Sequence, residues 1–334
     1  KSCATGHRSS ASGYKSCAIG GCSSVFGYLS QATGSHSSAF GWKAIAEGTK
    51  STASGYQSCA SGIEASAFGK SAIASANYSI SVGRGTQALT GDQTVAIGYF
   101  SCASGTYSVA MGHTSCATGA CSTASGYKSC ATGADSSAFG HCSCATGTAS
   151  TASGYKSCAT STYSSAFGRE SCATGAQSSA FGKNSCATGA NSTSVGHTSC
   201  ATGQNSSAFG RSSCATGVDS SVFGRSSVAC GINDLAIGRT AITVPFAGAT
   251  NQCPEANISI GFCTIAQNGY RCDDTTDWYL PSIAIGSCAC STSCASLSVG
   301  ICTQATGLYS SVFGYLSCAT GDYSSAFGLS SCAV

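Results

Sequence analysis

Charge is scarce in this chain. Asp, Glu, Lys and Arg supply 8% of its 334 residues, where an ordinary globular protein carries roughly 25%. The formal net charge is +3 and no run of Lys or Arg occurs, so no nucleic-acid partner is expected. No apolar run reaches the roughly 18 residues of a membrane helix, so no membrane span is expected in this segment. There are 3 prolines, all between 245 and 281, which leaves the rest of the chain free of the residue that interrupts central strands. No secretory leader is visible and the chain starts at Lys1 rather than Met, so it reads as a mature or excised part of something longer.

Glycine, serine and cysteine are abundant, and they are ordered. From Ser101 to Gly224 every seventh residue is Gly, with Ser161 the one exception. Two residues before each Gly stands Ala, or rarely Ser or Val, and four before it stands Ser. SCATG alternates with SSAFG or STASG, so the full repeat is fourteen residues. That regularity argues against a disordered low-complexity tract, and a fixed short period points to a repeat architecture.

Within each seven, the Ser, Ala and Gly positions alternate with two variable ones, the period of a strand. So much Gly, Ser and Thr would weaken a helix at every turn. Five strand residues and two turn residues, taken twice, make one coil, and coils stack at about 4.8 Å. One strand face is confined to Ser, Ala and Gly, while the other takes Cys, Thr, Phe, Val, Ile and Met. The expectation is an all-β parallel roll, or solenoid, with fourteen-residue coils and an interior too narrow for larger groups. About twenty-two such coils would extend on the order of 100 Å.

SVAMG at 108–112, TVAIG at 94–98, SIAIG at 282–286 and DLAIG at 234–238 resemble the SVAIG signature of YadA-like heads. The fourteen-residue period and the SxATG partner strand agree with it. The resemblance covers nearly all of 1–238 and 282–334. It implies the left-handed parallel β-roll of trimeric autotransporter adhesins, and a homotrimer with one strand type packed near the threefold axis.

Four stretches are expected: a looser β-roll at 1–83, a regular one at 84–238, an irregular segment at 239–281 and a resumed roll at 282–334. One extra residue lies between Gly83 and Gly91, and a bulge or longer turn is expected around Arg84-Gly85-Thr86, since a shift by one would turn every side chain over. In 239–281 the roll is expected to continue, with loops at 245–256 and 270–281. Long loops are often functional, and these two are the favoured receptor-contact segments. Asp273, Asp274 and Asp277 with Glu255 could hold Ca²⁺, but a solvated acidic loop is the favoured reading.

The chain has 25 cysteines, which favours an oxidising, extracellular setting. Cys102, Cys116, Cys130, Cys144, Cys158, Cys172, Cys186, Cys200 and Cys214 follow one another at intervals of fourteen. Cys3, Cys17, Cys318 and Cys332 share that column. All point away from the interior, and a Cα spacing of about 4.8 Å lies inside the range of disulfides. Bridges between neighbouring coils, bridges between chains of a trimer, and reduced cysteine as apolar filler all fit. Cys253, Cys263 and Cys272 are expected to tie the loops of the irregular segment. Cys288, Cys290 and Cys294 are close in sequence, but zinc wants four converging ligands and none is assigned.

Phe26, Phe40, Phe68, Phe139, Phe167, Phe181, Phe209, Phe223, Phe313 and Phe327 occupy one outward position of the second strand type and are candidates for the trimer interface. His7, His36, His113, His141 and His197 fall at turns, as do Lys15, Lys43, Lys50, Lys128, Lys156, Arg169, Lys183, Arg211 and Arg225. A linear polyanion could lie along such cations, but Glu64, Asp135, Glu170 and Asp219 also lie at turns, and a simple solvated edge is favoured. A catalytic triad needs a third group and an oxyanion pocket, and a roll packed solid by small side chains offers no cleft. No enzyme activity, catalytic residue, metal site or cofactor is expected.

The function these readings favour is an extracellular fibre or head domain at a cell or virion surface. It would be a disulfide-reinforced trimeric rod that attaches to a host or substrate surface and continues end to end into a longer fibre. The alternatives are an ice-binding solenoid, in which Cys and Thr of SCATG form a flat outward array, and a virus or phage fibre shaft.

Overall fold

A computed structural model describes residues 1–244, 256–267 and 281–334. The loops expected at 245–256 and 270–281, with Cys253, Cys272, Glu255 and the three aspartates, lie outside the described residues except for Ala256 and Pro281. The chain divides into two compact units, 1–164 and 165–334. Each is a parallel β-solenoid, and no helix occurs among the described residues.

In the first unit each strand pairs in parallel with the strand one coil later. Cys3 lies opposite Cys17, Ser24 opposite Ser38 and Val109 opposite Thr123. The bonds that join coils are regular: Cys3 N donates to Ser16 O and Cys17 N to Ser30 O, both at 2.9 Å. The two strand types differ in length. The second type forms strands of three or five residues, such as Ser10–Ser12 and Val109–His113. The SCATG type forms only the two-residue strand Cys-Ala, as at Cys116–Ala117, instead of the five residues expected. After it the carbonyl of one Ala accepts two successive amides, as Ala18 O does from Thr5 N at 2.9 Å and Gly6 N at 3.5 Å, and the chain turns there.

Each coil turns two tight corners, and at nearly every corner a non-glycine residue takes the left-handed conformation, as at Lys15 (φ 51°) and Cys22 (φ 55°). Such a conformation is unfavourable for an L-residue. Here it is held by the coil beneath, since Cys22 N donates to His7 O and Lys43 N to Tyr28 O, both at 2.8 Å.

The interior is as narrow as the small-residue face implies. Alanines such as Ala96, Ala110, Ala117 and Ala124 are fully buried, and nothing among the described residues larger than valine or asparagine is completely enclosed. Serines fill the remaining inward positions, and Ser37 and Ser136 each donate a hydroxyl to the carbonyl three residues earlier at 2.6 Å. That bond reduces the cost of burying a hydroxyl. Both glycine columns are close backbone approaches, and one of them also has a positive φ. Gly112 has φ +125°, and a Cβ there would stand 2.2 Å from the carbonyl oxygen of Gly126.

The extra residue is not at 84–86. Gly85 keeps the ordinary corner conformation (φ +65°), and its N–H reaches Lys70 O at 2.9 Å as its counterparts do. Ile73 pairs with Gln87, fourteen residues on, but Ile80 pairs with Val95 and Gln87 with Cys102, fifteen on. The insertion therefore lies in 89–94, a six-residue link where the next coil has five. The corner after Gly83 is pinned by glycine stacked on glycine. The corner after Ala88 stacks glycine as closely, but its glycines do not need a positive φ and Ala76 and Ser161 stand in that column, so it absorbs the added residue.

In the second unit the same ladders run from Ser165 onward, for example Phe167 opposite Phe181. Leu235 pairs with Ile258 and Ile258 with Ile283, so the parallel ladder keeps its register on either side of 245–255 and 268–280. Here the inward serine position takes larger polar groups. Asp234 accepts N–H bonds from Gly231 at 2.7 Å and Asn257 at 2.9 Å, and Asn257 accepts from Ser282 N at 3.1 Å and its hydroxyl at 2.9 Å. Burial pushes the Asp234 carboxyl up from its ordinary value, against hydrogen bonds from Thr243, Asn257 and Gly231 that pull it down.

Candidate functional surface

With the interior filled by methyl and hydroxymethyl groups, the chemistry of this chain lies on its outward columns. Four can be traced, each one side chain per coil at the spacing of neighbouring strands, about 4.8 Å.

The phenylalanine column is the most apolar. Phe26 is 63% exposed and Phe40 42%, and they are direct cross-strand neighbours. Phe68, Phe139, Phe167, Phe181, Phe223, Phe313 and Phe327 are also exposed, and Phe209 is half-buried. Three pairs in successive coils stack their rings, with centroids 5.2 Å apart for Phe167 and Phe181, 5.1 Å for Phe209 and Phe223, and 5.3 Å for Phe313 and Phe327. Stacking covers one ring face with the next but leaves the outer edge of the column bare.

The cysteine column faces outward on the other strand type, half-buried. In the first unit Cys102, Cys116, Cys130 and Cys144 stand in direct register, followed by Cys158. In the second unit Cys172, Cys186, Cys200 and Cys214 do the same. Cys102, Cys116, Cys130 and Cys144 are thiols, and they alternate in acidity. Hydrogen bonds from Cys116 and Cys144 lower Cys130 to about 3, and the bond from Cys116 lowers Cys102 to about 7. Cys116 and Cys144, the donors, are raised. In the second unit Cys186 is raised by its bonds to Cys172 and Cys200, and Cys214 is lowered to about 7 by its bond with Cys200. Cys3 and Cys17 are paired in register, and the sulfurs of Cys318 and Cys332 come within 2.9 Å. Cys263 is exposed and its sulfur lies 3.5 Å from Thr240 Oγ1.

Two features escaped the sequence reading. Cys294 is half of a disulfide. Its signal was its offset, because no other cysteine occupies the first corner position after an SCATG-type strand. The other is an aromatic column directly after the positive-φ glycines. Tyr14, Tyr28, Trp42 and Tyr56 stack in turn, with centroids 4.9, 6.2 and 4.3 Å apart. Tyr99, His113, Tyr127, His141 and Tyr155 do likewise at 4.8, 5.0, 4.7 and 5.1 Å. Lys43 sits over Trp42 at 4.4 Å and Lys128 over Tyr127 at 5.3 Å. The histidines fall at turns in the sequence, and the spacing of fourteen between His113, Tyr127, His141 and Tyr155 marks the column.

The opposite corner carries a polar ladder. Lys50 pairs with Glu64 at 2.9 Å, and Asn191, Asn205 and Asp219 are linked by amide bonds of 3.0 and 2.8 Å. Among the described residues no three His, Cys, Asp or Glu side chains converge to hold a metal ion.

Comparison with protein families matches the YadA head domain repeat (2 copies) at residues 23–44, 32–58, 60–86, 90–115, 117–141, 145–171, 159–185, 173–199, 187–213, 215–241 and 305–331. The chain belongs to the YadA head family. A comparison with curated proteins finds no match. The matched YadA head repeats extend through both units, and the signature strands SVAMG and DLAIG fall inside them. The protein is thus an adhesin-type β-roll of a structural family displayed at cell surfaces.

Proposed function

We propose that this YadA head chain is the attachment segment of an extracellular fibre, assembled as a homotrimer with its phenylalanine columns turned toward the threefold axis and its cysteine columns outward. The observation that carries this reading is the bare phenylalanine column. A solenoid whose interior is already full has no use of its own for large apolar residues repeated at one outward position. Covering each half-exposed ring is worth on the order of 1 kcal/mol, and identical columns on identical chains suit a symmetric assembly. Repeated weak contacts along the outer faces would then hold a host or substrate surface by multivalency.

The cysteine ladders fit reinforcement by bridges between neighbouring coils. A thiolate beside a thiol is the reactive arrangement for exchange. Each bridge forms one S–S bond and releases two protons and two electrons to an external disulfide or other oxidant. In-register parallel strands repeat their Cβ atoms at about 4.8 Å, beyond the roughly 3.5–4.5 Å of a disulfide. Closing a bridge therefore draws two coils together, as at Cys318 and Cys332, whose sulfurs already approach within 2.9 Å.

Sedimentation equilibrium of the intact chain tests the assembly. The expected mass is three times that of the chain, and Phe167→Ser with Phe181→Ser is expected to shift it toward monomer. A monomeric wild type, or a trimer indifferent to both substitutions, overturns the reading. Intact mass after alkylation, with and without reductant, separates bridged from free thiols.

A further inference from the structure

The column that follows the positive-φ glycines changes character in the second unit. Where the first unit places mostly Tyr, Trp and His, with Lys70 and Arg84 among them, the second places Arg169, which pairs with Glu170, and then Lys183, His197, Arg211, Arg225 and Arg239 in successive coils. We infer that this cationic ladder binds a linear acidic polysaccharide, a uronan with one carboxylate per sugar, laid along the coils. The inference needs only one chain and does not depend on trimerisation.

The backbone fixes the column. Thr198 N donates to Lys183 O at 2.9 Å, Ser212 N to His197 O at 2.9 Å, Ser226 N to Arg211 O at 2.8 Å and Thr240 N to Arg225 O at 2.9 Å. Successive members therefore sit one strand spacing apart, about 4.8 Å. The five side chains from Lys183 to Arg239 are exposed. Among the described residues no carboxylate pairs with any of them, the ion pairs being Lys50–Glu64 and Arg169–Glu170. Asp219 belongs to the other corner of the coil and is held there by the Asn205 amide at 2.8 Å.

Like charges directly opposite one another on neighbouring strands are destabilising. Here Arg211, Arg225 and Arg239 stand in that arrangement in successive coils without a counter-charge, and a bound polyanion relieves the repulsion. The neighbouring corner residues add a second strip, of hydroxyls. Thr198 Oγ1 lies 2.9 Å from His197 Nδ1 and 3.3 Å from Ser212 Oγ, and Ser226 and Thr240 continue the strip. A cation strip beside a hydroxyl strip matches a polymer whose every unit offers a carboxylate and hydroxyls.

Spacing and shape select the polymer. In an extended twofold form a 1,4-linked uronan turns successive carboxylates to opposite sides, so those facing the ladder recur about two strand spacings apart, as Lys183, Arg211 and Arg239 do. A DNA duplex presents one phosphate per roughly 3.4 Å on each strand and winds away from a straight column. Single strands are gripped by open aromatic faces, and Phe262, the next member of this column, lies beneath the Arg239 guanidinium at 5.5 Å.

The test is fluorescence anisotropy of a labelled polygalacturonate octamer titrated with the intact chain at low and physiological salt. Binding at low salt that weakens as salt rises is expected. Each exposed ion pair contributes up to a few-fold in affinity, so Arg211→Gln with Arg225→Gln is expected to weaken binding about tenfold, with the circular dichroism of the fold unchanged. Lys50→Gln, in the other unit, is expected to leave affinity as it was. No binding at low salt, equal affinity in the double variant, or tighter binding of a single-stranded oligonucleotide of the same charge overturns the inference.

Discussion

Substituting Gly112 by Ala isolates the feature that lets the coils stack. At this position φ is +125°, outside the regions open to an L-residue, and the new Cβ would lie 2.2 Å from the Gly126 carbonyl oxygen. The conformational strain is about 1–3 kcal/mol. Relieving the clash parts two coils and weakens the flanking bonds Thr114 N to Tyr99 O (2.7 Å) and Lys128 N to His113 O (2.8 Å), at about 1 kcal/mol each. The expected loss is thus about 3–5 kcal/mol. Gly133→Ala is the control. Its Cβ would stand as close, 2.1 Å from Gly147 O, but its φ is not positive. Its column already accepts Ala76 and Ser161 in place of Gly, so the smaller loss of about 2 kcal/mol is expected, the clash without the strain, partly offset by a stiffer unfolded chain. Long repeat arrays need not unfold in one step, so the assay is native-state hydrogen exchange at the amides of Thr114 and Lys128, alongside thermal unfolding. Equal losses in the two glycine columns would refute the reasoning, because contact distance alone would then explain both.

Other consequences can be checked separately. Ala124→Val is expected to be tolerated, since Val25, Val222 and Val312 occupy the same inward column, whereas Ala124→Leu should cost about 3 kcal/mol by overpacking, read from denaturant midpoints. At neutral pH Cys130, whose pKa is lowered by its two donor neighbours, should react with iodoacetamide well before Cys116, whose pKa is raised; mass-spectrometric footprinting that shows equal rates contradicts the alternation. Asp234 carries a folded-state pKa above its ordinary 3.8. Between the unfolded and folded values the folded chain binds more protons, so stability falls as pH rises through that window and the loss is complete above it. Asp234→Asn should remove this component, leaving a smaller fall in midpoint from pH 4 to pH 7 than the wild type shows. An identical pH dependence in the two proteins argues against it.

The inward and outward faces were legible because strand alternation leaves each residue only two directions. Ala117 and Ser115 had to face in and Cys116 out once the period of two was seen, and they do. The position of the inserted residue was not legible. The interval from Gly83 to Gly91 contains two corners, and only the pairing of Gln87 with Cys102 shows which one lengthened. The same ambiguity hid the cation ladder, since Asp219 and Arg225 both read as turn residues until the corners were told apart.

In a chain that repeats itself, local pattern and fold are nearly one thing, because each coil is shaped by the same short-range rules and meets only its neighbours. Length of repeat, strand direction, the narrow interior and the outward columns were therefore contained in the amino-acid order. What required three dimensions were relations between side chains: the alternating donor and acceptor thiols, the stacked Tyr–His column, the buried Asp234–Asn257 pair and the bridged Cys294. Those depend on side-chain orientation and on which atoms of successive coils approach within hydrogen-bonding distance, and a linear period carries neither.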